Sequence, residues 1–358
     1  MRLLFALPGF HRVERGAEVA LLAVARALSA LGEDVTVAGS GEARPGTPYS
    51  YIRVPSLRRE RFEWIPAFPP FRSETAWEDA TFAAGLLARY RSADFDATLT
   101  CSFPFSHLAL RGLARHAPRH VFVTQNGDWP ARSRRSEFRL FGCDGLVCTN
   151  PDYYEANRHR WNCELIPNGV DLERFSPGDA DRARFGLPDD KPVILMVSAL
   201  IESKRVLDGI RLVSAIGDAH LAVAGDGPLR GAVQALAEEL LPGRFTRLSV
   251  AAELMPLLYR SADAFLHMSL TESFGNVYLE AWACGLPIVA HDSANLRWIL
   301  GDRQFLCDTM VREQTVAKLR QALGESKRAP NDGIEKFAWP EIGRRYQSFL
   351  RSLAGRPA

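Results

Sequence analysis

Residues 269–290 read SLTESFGNVYLEAWACGLPIVA, and this stretch decides which fold class the chain is predicted to have. The apolar run Ala264–His267 before it predicts a buried strand, and residues 287–290 at its end predict the next strand. Between them lies a polar loop that carries Glu272, followed by a helix that starts near Asn276. Strand, loop and helix in this order are typical of an open parallel sheet, which binds ligands beyond the carboxyl ends of its strands.

The same stretch carries groups that suit an anionic ligand rich in hydroxyl groups. Backbone N–H groups and the helix dipole favour an anion at a helix N-terminus, which predicts an anion site at Gly275, Asn276 and Val277. Glu272 precedes the helix and Glu280 lies one turn into it, so the two carboxylates can bind different hydroxyl groups of one ligand. Glu280 taken alone would be interpreted as an exposed helix carboxylate, but the whole run favours a ligand contact.

Outward from this stretch, short apolar runs alternate with segments of helix length in both directions. Strands are predicted at residues 3–7, 35–38, 97–100, 121–124, 145–148 and 165–166, and then at 192–197, 221–224 and 247–250. A Pro-Asn-Gly turn at residues 167–169 separates the two series. We therefore predict two Rossmann-like, doubly wound parallel-sheet domains, residues 1–168 and 169–339. A final helix in residues 340–358 is expected to pack back on the first domain or to stand apart from it.

Length and composition exclude several classes of protein. A chain of 358 residues fits two domains, and 47% hydrophobic with 24% charged residues is typical of a globular protein. A net charge of +2 argues against a nucleic-acid binder. The six cysteines form no C-x-x-C pair, which argues against a zinc site and favours a reducing compartment. No apolar run suits a signal peptide or a membrane span, so we expect a cytoplasmic location, with the inner face of the membrane as an open alternative.

With these motifs the chain resembles the retaining glycosyltransferases of family 4, which have the GT-B fold. Residues 272–280 and the segment after them resemble the E-x7-E motif of that family. Residues 8–18, 167–171 and 221–228 agree with it in order and spacing. The resemblance implies two domains facing a central crevice, an acceptor-side domain in residues 1–168 and a donor domain in residues 169–339. It implies metal-independent transfer from a UDP- or GDP-linked sugar, as substrate rather than cofactor, to an acceptor hydroxyl with retention of configuration.

The resemblance also implies a role for each motif residue. Glu280 is expected to accept hydrogen bonds from the ribose hydroxyls, and Glu272 to hold the transferred sugar. Lys204, Gly16 and the amides of residues 275–277 are expected to stabilise the departing diphosphate. Lysine is scarce here, with five among 44 basic residues, which favours a specific role for Lys204.

Near Lys204 the chain departs from the family pattern. The family usually has Gly-Arg where this chain has Ser198-Ala199, and that arginine normally pairs with the lysine. We hypothesise that Arg205, next to Lys204, restores the second cation.

A second departure follows the strand predicted at residues 121–124, where many relatives carry a histidine near the sugar. Here Asn126 could donate a hydrogen bond to the sugar and Asp128 could accept one from the acceptor, although a plain Asn-Gly turn is the alternative. His107 is another candidate for the crevice, and a role in the core is equally expected.

The expected partners are a nucleotide-sugar donor and a glycan, lipid-linked or small-molecule acceptor, in polysaccharide or glycolipid synthesis at the cell surface. The aromatic segment 62–71 could contact an acceptor or a membrane, or could simply cover the first sheet. Two alternatives stay open. One is a phosphorylase or epimerase of the same fold, and the other is a catalytically silent nucleotide-sugar-binding subunit, suggested by Ser198-Ala199 and Asn126.

Overall fold

The computed structural model describes residues 1–112, 117–301, 305–325 and 333–355. The chain divides into two compact units, which we call unit 1 (Met1–Gly169 with Trp339–Ala358) and unit 2 (Val170–Ala338). Each contains a parallel sheet flanked by helices, which confirms the predicted α/β class with two Rossmann-like domains. No helix in the described part of the chain is long and apolar enough to cross a membrane.

Unit 1 is built on a parallel sheet of seven strands among the described residues. The strands are β1 (Arg2–Ala6), β2 (Asp34–Gly39), β3 (Ser50–Arg53), β4 (Ala97–Thr100), β5 (Arg119–Val123), β6 (Gly145–Cys148) and β7 (Cys163–Leu165). Their order in the sheet is β3-β2-β1-β4-β5-β6-β7. The helices are α1 (Gly16–Ala30), α2 (Glu74–Leu87), α3 (Phe105–Arg111), α4 (Trp129–Arg132), α5 (Pro151–Asn157) and the C-terminal α12 (Trp339–Ala354). Strand β1 is buried from its second residue to its last, as expected for a central parallel strand.

Unit 2 is built on a sheet of six parallel strands in its described part. The strands are β8 (Val193–Val197), β9 (His220–Ala224), β10 (Phe245–Leu248), β11 (Ala264–His267), β12 (Ile288–His291) and β13 (Phe305–Cys307). Their order is β10-β9-β8-β11-β12-β13. The helices are α6 (Val206–Val213), α7 (Arg230–Leu240), α8 (Met255–Arg260), α9 (Asn276–Ala283), α10 (Ala294–Leu300) and α11 (Arg312–Gly324).

Two edge strands, β3 and β13, are absent from the predicted strands. Each is short, with four and three residues, and most of their side chains are only partly buried or exposed. An edge strand has a neighbour on one side only, so it needs neither a long nor a uniformly apolar run. This is why apolar periodicity does not reveal it.

The C-terminal helix α12 is part of unit 1 and packs against α1. A Cβ atom at Gly343 would lie 2.7 Å from Cβ of Ala27, so the small residue permits this close approach. Gln347 Nε2 and an amino group of Arg351 each donate to Oε1 of Glu33, at 2.7 Å. The apolar face of α12 thereby joins the core formed by β1, β2 and α1.

The strand order places a ligand-binding position in each sheet. In unit 2 the connections run in opposite directions from the central pair β8 and β11. The loops that follow two such strands diverge and leave a crevice at the carboxyl edge of the sheet. The loop after β8 contains Lys204, and the loop after β11 contains Glu272.

Candidate active site

Lys204 and Glu272 meet at the carboxyl edge of the unit 2 sheet. Nζ of Lys204 forms an ion pair with Oε1 of Glu272, and both side chains are largely buried, at 23% and 16% exposure. The two residues are 68 positions apart in the chain. They meet because β8 and β11 are paired in the sheet and their loops leave the same edge. A paired ammonium and carboxylate at this position can exchange partners with an anion and a hydroxyl group.

His267, the last residue of β11, lies under this ion pair. Its Nε2 is 3.6 Å from Oε1 of Glu272, the oxygen that Lys204 also contacts. Its Nδ1 receives the backbone N–H of Ser269 at 3.3 Å and lies 3.1 Å from the Tyr278 hydroxyl. Burial lowers the pKa of His267 to about 4, against a smaller opposing effect of Glu272. The imidazole is therefore neutral at physiological pH.

The loop that carries Glu272 leads into α9 through Gly275. Gly275 is in the left-handed region with φ +90°, and a Cβ atom there would lie 2.5 Å from the ring of Tyr278. Both facts demand glycine, because another residue would be strained and would collide with a buried ring. Asn276 and Val277 then begin α9, as the sequence predicts for the anion site. Contact of these amides with an anion stays a prediction.

Glu280 lies on α9 and is held by a buried tyrosine. The hydroxyl of Tyr259, a fully buried residue of α8, donates to Oε2 of Glu280 at 2.8 Å. Burial raises the pKa of Glu280, while the hydrogen bond from Tyr259 and the charge of Arg174 oppose that shift. Glu280 is thus a positioned and partly buried carboxylate. Contact of Glu280 with the ribose hydroxyls stays a prediction.

Arg205 directs its guanidinium into unit 2. Nε donates to Asp208 at 2.9 Å, one amino group donates to the Met268 carbonyl and to Oγ1 of Thr309, both at 3.2 Å, and the other donates to the Thr309 carbonyl at 3.3 Å. The bonds to Met268 and Thr309 tie the turn before α6 to the loops that follow β11 and β13. A diphosphate would therefore have to replace some of them, and the role of Arg205 as second cation stays a hypothesis.

The backbone around Ser198-Ala199, where the chain departs from the family pattern, packs closely against the loop after β9. A Cβ atom at Gly225 would lie 1.9 Å from the Ser198 carbonyl, and one at Gly227 would lie 2.6 Å from the Leu200 carbonyl. The loop after β9 therefore rests directly on residues 198–200. Ala199 is exposed, so a methyl group stands where the family pattern has an arginine.

In unit 1, Gly16 is the first residue of α1 and is exposed. Two residues further along, the buried carboxylate of Glu18 lies below the loop that follows β1. A Cβ atom at Gly9 would lie 2.0 Å from Oε1 of Glu18. Burial raises the pKa of Glu18. The glycine at position 9 therefore leaves room for a carboxylate, and the approach of a diphosphate to Gly16 stays a prediction.

Asn126 and Asp128 follow β5 in unit 1 but differ in surroundings. Asn126 is exposed, and its Nδ2 lies 3.7 Å from Sγ of Cys101. Asp128 is buried and accepts hydrogen bonds from Arg132 at 3.1 Å and from Asn157 at 3.4 Å. Asn126 is thus accessible to a ligand, whereas Asp128 stands at the N-cap position of α4 with its side chain bonded to Arg132 and Asn157. Their contacts with sugar and acceptor stay predictions.

His107 belongs to the core of unit 1. It is fully buried, and its Nδ1 lies 3.0 Å from Nε2 of His120. Burial lowers the pKa of His107, so the ring is neutral. Of its two predicted roles, the structure shows the one in the core.

Two residues of the unit 2 site, His267 and Tyr259, were not singled out by sequence reasoning. The available signal was weak: His267 is the one polar residue of the four in β11, and it stands at the carboxyl end of that strand. Tyr259 had no signal, since an aromatic residue in a helix is typical of any core. Among the described residues, no group of three or more His, Cys, Asp or Glu side chains could hold a metal ion.

The chain is similar to known proteins over most of both units. Residues 15–174 match glycosyltransferase family 4, and residues 178–335 match the glycosyl transferases group 1. The chain is 34% identical, over 65% of its length and 69% of the relative's, to the GDP-mannose-dependent alpha-(1-6)-phosphatidylinositol monomannoside mannosyltransferase of Mycolicibacterium smegmatis. It is 31% identical to the lipopolysaccharide core biosynthesis glycosyltransferase LpsE of Rhizobium meliloti, over 50% of its own length and 52% of LpsE.

Among solved structures, HepE of Anabaena in complex with UDP-glucose superposes with a TM-score of 0.74. The identity is 16%, and the superposition covers 98% of this chain and 100% of HepE. At that identity the likeness concerns the fold.

Proposed function

The chain belongs to the family 4 glycosyltransferases, and on that basis we propose that it transfers a sugar from a UDP- or GDP-linked donor to an acceptor hydroxyl with retention of configuration. The observation that carries the proposal is the contact of Lys204 with Glu272 at the carboxyl edge of the unit 2 sheet. A diphosphate needs a cation and a sugar needs hydrogen-bond acceptors, and this pair offers both in one place. GT-B proteins with glycosyltransferase activity use the same two-sheet architecture as this chain.

The leaving diphosphate is stabilised by Lys204 and by the amides that begin α9. As the bond between the sugar carbon and the phosphate oxygen breaks, negative charge grows on the phosphate. A preorganised donor aimed at that charge contributes about 100- to 1,000-fold to turnover in other enzymes. Gly16 at the start of α1 is proposed as a further backbone donor to the same group. No metal ion takes part in this scheme.

The two glutamates bind the two parts of the donor on either side of the diphosphate. Glu272 accepts hydrogen bonds from hydroxyl groups of the sugar, and Glu280 accepts them from the ribose. Tyr259 fixes the Glu280 carboxylate through Oε2, which leaves Oε1 for the ribose. The donor is thereby held at both ends, which orients the anomeric carbon.

The acceptor oxygen attacks the anomeric carbon on the face from which the diphosphate departs. One carbon–oxygen bond forms, one breaks, and the acceptor proton passes to the leaving phosphate oxygen. We propose that Asn126 donates a hydrogen bond to the sugar and that Asp128 accepts one from the acceptor hydroxyl. Asp128 already accepts from Arg132 and Asn157 through Oδ2, so its side chain is fixed in orientation.

We further propose a lipid-linked acceptor, reached at an anionic membrane surface. The named activities of the two relatives concern a phosphatidylinositol mannoside and lipopolysaccharide. Unit 1 carries a suitable surface, here called the basic aromatic surface, formed by residues 57–72 and 129–140. These two segments hold eight arginines against three glutamates, while the whole chain has a net charge of +2.

The basic aromatic surface is continuous and also apolar. Arg72 of the first segment forms an ion pair with Glu137 of the second. Trp64 is 79% exposed and Leu140 is 59% exposed. Exposed tryptophan beside arginine is typical of surfaces that bind the headgroup region of a bilayer. Each arginine near an anionic bilayer contributes about 1 kcal/mol to binding.

The decisive experiment is a panel of nucleotide sugars incubated with the full chain. Transfer to a lipid-linked acceptor, or slow donor hydrolysis without one, is the expected result, and NMR of the product reports the anomeric configuration. Nucleotide-sugar binding without transfer or hydrolysis would favour a silent subunit. Release of the sugar by inorganic phosphate would favour a phosphorylase, and an epimerised donor would favour an epimerase. Loss of activity with a chelator, restored only by Mn²⁺, would contradict the metal-independent scheme.

A further inference from the structure

The proposed roles leave one polar group at the unit 2 site unexplained, the buried imidazole of His267. The ring is 3% exposed and lies in a strand whose other three residues are apolar. An apolar side chain would fill the same space without the cost of burying two ring nitrogens, which must find partners. Both nitrogens of His267 do face polar atoms, which indicates that the ring is there to form hydrogen bonds.

The contacts of the ring determine which nitrogen carries its proton. The backbone N–H of Ser269 can only donate a hydrogen bond, and it points at Nδ1. Nδ1 must therefore be the acceptor, and it can accept from the Tyr278 hydroxyl as well. In a neutral imidazole the proton then lies on Nε2. Nε2 is the nitrogen that faces Glu272.

The Nε2–H group is the second donor available to the carboxylate that Lys204 holds. Both approach Oε1 of Glu272, Lys204 in direct contact and Nε2 of His267 at 3.6 Å, slightly beyond hydrogen-bonding distance. A shift of the carboxylate by well under 1 Å would complete the bond. Among the described residues we find no hydrogen-bond partner for Oε2 of Glu272, which leaves that oxygen for the sugar.

We propose that His267 is a positioning residue. Its Nε2–H group donates a hydrogen bond to Glu272 when the donor diphosphate binds Lys204 and breaks the ion pair between Lys204 and Glu272. This inference rests on the proposed function, in which Lys204 binds the diphosphate and Glu272 binds the sugar. Without a second donor, Glu272 would lose its partner at the moment when its orientation matters. With His267 below it, the carboxylate is held by a neutral donor fixed to the sheet, and the charge of Lys204 is committed to the leaving group.

A neutral ring suits this task better than a charged one. The burial of His267 disfavours its protonated form, and Ser269 and Tyr278 act on Nδ1 alone. A cation here would compete with the sugar hydroxyls for Glu272 and would hold the carboxylate too tightly. A neutral N–H orients one carboxylate oxygen and leaves the other exposed to the ligand.

Two variants of similar polarity separate this role from packing. The amide of His267→Gln extends to the position of Nε2 and can donate to Glu272. The shorter amide of His267→Asn reaches only the position of Nδ1, where it can accept from Ser269. Donor turnover, the KM for the nucleotide sugar and the affinity for the nucleotide diphosphate without sugar are measured for both, with thermal unfolding as the check on folding.

We expect His267→Asn to lower kcat about 10- to 100-fold, the loss of one hydrogen bond to a charged group, while nucleotide diphosphate affinity stays within about twofold. The decrease in log kcat should be at most half as large in His267→Gln as in His267→Asn. Equal activity of the two variants, or an equal loss of nucleotide affinity, would overturn the inference. Absence of turnover in the wild-type chain with every donor is a different failure, because it refutes the proposed function and this inference with it.

A second readout holds if either variant is too slow to measure. The ratio of affinities for nucleotide sugar and nucleotide diphosphate isolates the contribution of the sugar. That ratio should fall in His267→Asn and be retained in His267→Gln. An unchanged ratio in His267→Asn would contradict the role of His267 in positioning Glu272 for the sugar.

Discussion

The ammonium of Lys204 and the carboxylate of Glu272 form an ion pair across 68 positions of sequence, between loops that leave paired strands. In the proposed function, the donor engages these two groups separately. Binding of a diphosphate to Lys204 and of a sugar hydroxyl to Glu272 would divide the pair between two parts of one ligand. The proposed donor would thus replace the interaction that holds these two side chains together.

Replacing Lys204 should abolish most of the activity. We expect Lys204→Met to lower kcat/KM by about 100- to 1,000-fold, since it removes a preorganised charge at the leaving group. Nucleotide diphosphate affinity should fall as well, as measured by calorimetry. Lys191→Met is the matched control, because Lys191 lines a cavity that includes residues just before β8 and β11, at the opposite edge of the sheet. Equal effects of the two substitutions would refute the assignment.

Glu280→Gln should weaken nucleotide binding and at the same time stabilise the protein at neutral pH. Burial raises the pKa of Glu280 above its ordinary value of 4.5, so the folded state binds this proton more tightly than the unfolded state. The free energy of unfolding of the wild type therefore falls as the pH rises from the pKa of Glu280 in the unfolded state to its pKa in the folded state. Above both pKa values the full destabilisation by the buried charge is present. Glutamine carries no such penalty and keeps the acceptor for Tyr259.

The measurement is thermal unfolding of wild type and Glu280→Gln between pH 4 and pH 8. The advantage of the variant should be smallest at pH 4 and should reach a plateau above the folded pKa. Nucleotide affinity should fall at least severalfold in Glu280→Gln, because a neutral amide accepts more weakly than a carboxylate. If the wild type gained stability relative to the variant as the pH rises, the claim that burial destabilises the ionised form of Glu280 would be refuted.

Arg205→Ala tests whether this arginine binds phosphate or holds the loops. Its four hydrogen bonds to Asp208, Met268 and Thr309 predict a loss of stability of about 1–3 kcal/mol, or a fall in Tm of a few degrees. The second-cation hypothesis predicts in addition a loss of nucleotide diphosphate affinity of about tenfold or more.

A fall in Tm with unchanged affinity would reject the hypothesis and leave a structural role. Asp208→Asn is a useful companion, since it removes the charge of one partner on α6 and leaves the site residues intact. If both substitutions lower Tm and only Arg205→Ala lowers affinity, the guanidinium also contacts the diphosphate.

Charge reversal on the basic aromatic surface should release the protein from anionic vesicles. Arg134 and Arg135 are exposed within it. The double substitution Arg134→Glu with Arg135→Glu should weaken binding to phosphatidylglycerol vesicles by about 100-fold or more at low salt, at about 1 kcal/mol for each charge removed and more for reversal. Vesicle sedimentation measures this.

The control reverses two exposed arginines of unit 2, Arg184 and Arg230. It changes the net charge by the same amount and should leave vesicle binding nearly intact. Equal loss in both double variants would indicate a general charge effect. Full binding of the first variant would refute the membrane surface and leave a water-soluble acceptor as the better proposal.

The periodicity of the sequence determined the two-sheet architecture because buried parallel strands need continuous apolar runs, and the helices between them need one apolar face. The motif order also brought Glu272, Glu280, Lys204 and the start of α9 into one predicted site. Edge strands β3 and β13 were not predicted, because a strand with a neighbour on one side only does not require a continuous run of apolar residues.

Only the tertiary structure decided how these residues are held. His267 and Tyr259 acquire their tasks from neighbours that are distant in sequence, and Arg205 turns toward Thr309, 104 positions away. A carboxylate has the same local pattern whether it is fixed or mobile, because its orientation depends on donors supplied by other loops. Sequence determined which chemical groups stand at the carboxyl edge of the sheet, whereas strand order determined which of them touch, since that order alone sets which loops leave the sheet side by side.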